Sequence, residues 1–164
     1  MDNRSKSITA PGILTPEALL EHWQGHRRVT RRMVEAFPED KLFTHSIGGI
    51  RPFAELVYEF LGMAVPGLTG IATGKWQQWS DAKKVTTKKE VLNLWDKATD
   101  DINRIWPTIP PHRFAEKDLA FGQWEGIVYS FIFYWIENEI HHRGQAYVYL
   151  RSLGIAPPPF YDRS

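Results

Sequence analysis

The chain has 164 residues, which suits a single domain, and its nine Phe and seven Trp supply a bulky core. Twenty Lys and Arg against nineteen Asp and Glu leave a net charge of +1, so there is no global electrostatic case for a nucleic-acid or membrane partner. Cysteine is absent, which excludes disulfides, thiolate metal sites and a cysteine nucleophile.

Residues 1 to 13 read as an irregular leader without the apolar segment of a secretory signal, and no apolar run reaches membrane-spanning length. A cytoplasmic protein is therefore expected. A first helix opens at Thr15, a capping residue followed by Pro16 and Glu17. It carries Leu19, Trp23, His26, Thr30, Met33 and Phe37 at spacings of three and four and ends near Pro38. Its cluster Arg27, Arg28, Arg31 and Arg32 reads mostly as a solvated face. Residues 39 to 51 read as a loop. A second helix starts at Pro52 with Phe53, Leu56, Phe60 and Met63 as its stripe and Glu59 beside it; Pro66-Gly67 predicts a kink or a break. Residues 73 to 86 form a polar connection in which Trp76 and Trp79 stand out. A third helix opens with the capping box Thr87 to Glu90 and stops before Pro107. Residues 109 to 121 read as a long loop, and strand signals are weak throughout. A fourth helix is expected from about Gln123 to Leu153, closed by Gly154 and Pro157. Four amphipathic helices with uneven loops predict an all-α four-helix bundle, and the long connections favour a crossover topology.

The run from Trp135 to Gln145 carries the chemistry. Continuing the apolar stripe of the fourth helix puts Asn138, His142 and Gln145 on the face expected to enter the core. Buried polar groups are costly unless hydrogen-bonded or metal-bound. Asn138 and His142 stand four apart and converge on one point, and Glu59 can approach from the second helix. Imidazole, carboxylate and water suit Zn, Ni or Fe. His141 with Glu137, and Glu139 with Arg143, read as ordinary surface or interface pairs at i, i+4. The Glu139-x-x-His142 spacing also occurs in di-iron bundles, but a second such motif is missing here. Gly144 inside a helix reads either as a close approach of another helix or as a tolerated glycine. His26, Gln145, Trp135 and Trp124 are candidate pocket residues, and Trp76, Trp79 and Phe121, with Trp124, candidate parts of its mouth; the alternatives are a hydrogen-bonded core histidine at His26 and ordinary loop packing of these aromatic residues.

The segment Glu139-Ile-His-His-Arg-Gly-Gln-Ala-Tyr-Val-Tyr-Leu-Arg-Ser-Leu-Gly-Ile-Ala-Pro-Pro158 resembles the C-terminal motif of the DinB/YfiT-like family. Pro52-Phe-Ala-Glu55-Leu-Val-Tyr-Glu59 resembles that family's second helix. The resemblance implies a four-helix bundle with crossover connections. It implies a divalent metal (Ni, Zn, Fe or Mn) held by three side chains at the positions of Glu59, Asn138 and His142. Glu59 and Asn138 stand where the family has histidines. It further implies a low-molecular-weight thiol as cofactor, a small electrophile as substrate for S-transfer or isomerisation, and a homodimer. The alternative is a metal-free binding or interaction module in which Glu59, Asn138 and His142 form a buried hydrogen-bond network.

Overall fold

The computed structural model describes residues 13 to 164, so the expected leader lies outside the described residues except for Ile13. Four long helices build the molecule: α1 (Pro16–Ala36), α3 (Phe53–Thr73), α4 (Lys88–Ile105) and α5 (Val128–Ser152), with α2 (Lys41–Thr44) a single turn inside the expected loop. The start and stop signals operate as expected. The Thr15 side chain accepts from the Ala18 amide, and Thr87 and Glu90 complete a reciprocal capping box. At the end of α5, Ile155 N–H donates to Leu150 and Gly154 N–H to Arg151, with Gly154 in the left-handed region at φ 75°.

The helices pack pairwise as α1 on α5, α5 on α3, α3 on α4 and α4 on α1. That closes a ring in which α1 and α3 face each other diagonally, as do α4 and α5. The connections α1 to α3 and α4 to α5 therefore cross the bundle, as the uneven loops predict. Two clusters fill the interior. One centres on Trp23, Leu68, Trp106 and Trp135; the other on Phe37, Phe53, Leu56, Trp95 and Tyr149.

Three expectations need correction. Of the expected kink or break at Pro66, the break does not occur: the second long helix runs 21 residues to Thr73. An interior proline costs about 3 kcal/mol. Burying Leu68 and Ile71 beyond it recovers about 1.5–3 kcal/mol each and carries the helix through. As a result α3 is, by length and composition, apolar enough to cross a membrane, although 67% of that window is buried inside the bundle, as in a core helix. The residues before α5 are not helical either. Residues 117 to 127 form an antiparallel hairpin, β1 (Lys117–Ala120) and β2 (Trp124–Ile127), preceded by 3-10 turns at Trp106–Thr108 and Pro111–Ala115. Neither Lys117–Ala120 nor Trp124–Ile127 alternates strictly between polar and apolar residues, which is why the hairpin was invisible in the sequence.

Candidate functional site

Glu59 on α3 and Asn138 and His142 on α5 do meet, half-buried at the seam of the two helices. The Asn138 amide donates to Glu59 Oε1 at 3.0 Å, and His142 Nε2 lies 3.6 Å from the same oxygen. His142 Nδ1 is 2.8 Å from Gln145 Oε1, an atom that only accepts, so Nδ1 carries the hydrogen. Gln145 Nε2 in turn donates to His141 Nε2 at 3.2 Å. Gln145 therefore orients His142 and does not line a pocket, and His141 reaches Gln145, not Glu137.

A residue that sequence reasoning missed completes the cluster. Arg51, just ahead of α3, donates to Glu59 Oε2 as an ion pair. Burial raises the Glu59 carboxyl, but the Arg51 and Asn138 hydrogen bonds and the charges of Arg51 and His142 outweigh it and hold the group below its ordinary range. Both carboxylate oxygens are thus engaged, one of them by a fixed cation. A divalent ion here would have to displace the Asn138 N–H from Glu59 and sit beside a guanidinium. It would gain only one imidazole, one shared carboxylate and one neutral amide oxygen. This donor set does not fit a divalent metal. Among the described residues, no group of three or more His, Cys, Asp or Glu is placed to hold an ion.

Glu59 also faces a cavity of about 540 Å³. Met63 of α3, Trp79 of the connection, Phe121, Trp124 and Glu125 of the hairpin, and Phe131, Tyr134 and Trp135 of α5 line it. Of the expected pocket residues, Trp135, Trp124, Trp79 and Phe121 are there, whereas His26, Gln145 and Trp76 are not. Trp76 lies behind the wall, 5.4 Å from the Phe121 ring and packed on Gly70. Phe121 holds φ 53° at the hairpin turn, an uncommon region for a bulky residue. Its ring lies among Trp76, Trp124 and Trp135.

His26 belongs to a different centre, on the α1 side of α5. There Glu139 and Arg143, expected as a surface or interface pair, are 2% and 3% exposed and so lie at an interface between helices, and Arg27 is 1% exposed. The core stripe of α5 runs through Trp135, Ile136, Glu139, Arg143 and Ala146, and Asn138, His142 and Gln145 flank it. Arg143 donates to the His26 carbonyl, His26 Nδ1 and Thr30 Oγ1, each at 2.9 Å, and Thr30 donates to Glu139. Arg27 donates to the Trp95 carbonyl and to Thr99, both at 3.0 Å, with its guanidinium 4.0 Å from the Trp95 ring centre. Glu139 therefore turns to α1 and His142 to α3, so the two do not converge on one point, which removes the di-iron arrangement.

A family model described as "DinB family" matches residues 10 to 164. The fold is shared with a DinB-like protein from Bacillus cereus, with a TM-score of 0.72 and 18% identity, over 88% of this chain and 97% of that one. It is also shared with a DinB-like protein (YjoA) from Bacillus subtilis, with a TM-score of 0.70 and 21% identity, over 89% and 99%. No curated protein matches the chain.

Proposed function

The chain belongs to the DinB family, and we propose that this member is a metal-free binding module that takes a small, largely apolar molecule in the aromatic cavity above Glu59. The observation that carries this reading is the pairing of Glu59 with Arg51 and Asn138, which satisfies the carboxylate without an ion. The cavity supports it as well, because its size and its aromatic lining around a few polar groups are those of small-molecule sites.

The competing reading is a metal-dependent enzyme that uses Glu59, Asn138 and His142 with a small thiol. One feature favours it: Gln145 fixes Nδ1 of His142 and turns Nε2 towards Glu59, as the outer partner of a metal-bound imidazole does. Elemental mass spectrometry on untagged protein, after incubation with Ni, Zn, Fe or Mn, separates the two. The expected result is metal far below one equivalent, the same in wild type and His142→Ala. Close to one equivalent in wild type, lost in His142→Ala, would overturn the metal-free reading.

A further inference from the structure

The cavity has a consistent electrostatic character. Six aromatic side chains line it: Trp79, Phe121, Trp124, Phe131, Tyr134 and Trp135. Aromatic faces carry the negative side of a quadrupole and attract cations. The two acidic residues in the lining, Glu59 and Glu125, are carboxylates, and the lining contains no Lys, Arg or His. Arg51 offsets Glu59 from outside the lining, while Glu125 has no ion-pair partner among the described residues. At the mouth, Trp124 and Tyr134 are 50% and 58% exposed. Aromatic faces beside a carboxylate are where an organic cation is attracted, and these two are open to an arriving one.

We propose that the ligand is a small organic cation, an ammonium on an apolar body, with the apolar part against Met63, Phe131 and Trp135 and the charge between the mouth aromatics and the two carboxylates. The inference rests on the binding reading above and adds the charge of the ligand. It also places the geometry of the hairpin in a role, because the turn at Phe121 and the strand at Trp124 and Glu125 supply one wall of the cavity.

Calorimetric titration of the full chain with three probes of one shape tests this: phenethylammonium, 2-phenylethanol and 3-phenylpropionate. The ammonium should bind about tenfold more tightly than the alcohol, and the carboxylate more weakly than either. Glu125→Gln should narrow the ammonium-to-alcohol ratio several-fold, and Trp124→Ala should weaken the ammonium. Equal or tighter binding of the alcohol would overturn the cation while leaving the binding reading in place. An ammonium preference unchanged in both variants would place the cation elsewhere and overturn the assignment. No binding of any probe would overturn both readings.

Discussion

Glu139 and His142 are three residues apart on one helix, yet their side chains face different partners, and this decides what each does. Glu139 lies between α1 and α5 with Arg27 and Arg143 as counter-charges. Its burial pushes the carboxyl up, against the pull of Arg27, Arg143 and Thr30. Removing it with Glu139→Ala leaves two buried guanidinium groups uncompensated, and a loss of about 3–5 kcal/mol is expected in urea unfolding. A loss below 1 kcal/mol would show that the centre is not a coupled charge pair. His26 is a second sensitive position. Burial, then the charges of Arg143 and Arg163 and the neighbouring His22, push its imidazole down to about 3. The unfolded chain takes up this proton more readily than the folded one. Stability from this group is therefore complete above its ordinary value of 6.5 and declines as pH falls from there towards 3. His26→Asn should flatten the fall of Tm between pH 6.5 and 4, measured by circular dichroism; an unchanged slope would count against it. His26 was legible on the apolar stripe of α1, but the charges around it were not, because Glu139 and Arg143 at i, i+4 read the same whether a neighbouring helix covers them or water does.

At the scale of the element, glycines show how little spacing says about surroundings. A Cβ at Gly67 would collide with the Trp135 ring, and one at Gly70 with Trp76, so α3 needs its glycines for close packing. Gly144, expected to allow a close approach, has nothing within 4 Å of where its Cβ would be. Gly144→Ala should raise stability by about 1 kcal/mol through helix propensity alone. Gly67→Ala should lower it by about 1–3 kcal/mol through overpacking. Thermal melts of the two variants should move in opposite directions, and a shift of Gly144→Ala downwards would mean that its open face is covered in solution. The starts of α1 and α4, by contrast, were readable. A cap uses side chains within three residues of itself, so Thr15 and the Thr87 to Glu90 box specify their own geometry. Thr87→Ala should cost about 1 kcal/mol.

Across the whole molecule, the C-terminal segment ties the bundle together. Arg28 donates to the Arg163 carbonyl at 2.6 Å, Arg32 to the carbonyls of Asp162 and Ser164, and Tyr147 to the Pro158 carbonyl at 2.7 Å. Arg163 packs on Gly25 and lies over His26. Truncation after Pro159 should lower Tm while leaving helical circular dichroism intact; an unchanged Tm would show that the segment contributes no stability. The same scale explains which parts of the protein were readable beforehand. Period and caps belong to the chain, so the helices, their order, the crossover bundle and the meeting of Glu59, Asn138 and His142 followed from sequence and family resemblance. The partners of a charge, the passage of α3 through Pro66, the hairpin and the composition of the cavity did not. Each depends on which surface arrives from elsewhere in the chain. Arg51 stands eight residues from Glu59 and ahead of the first turn of α3, where helical spacing does not apply. Only the folded chain brings its charge onto the carboxylate, and that contact is what the metal-free reading rests on.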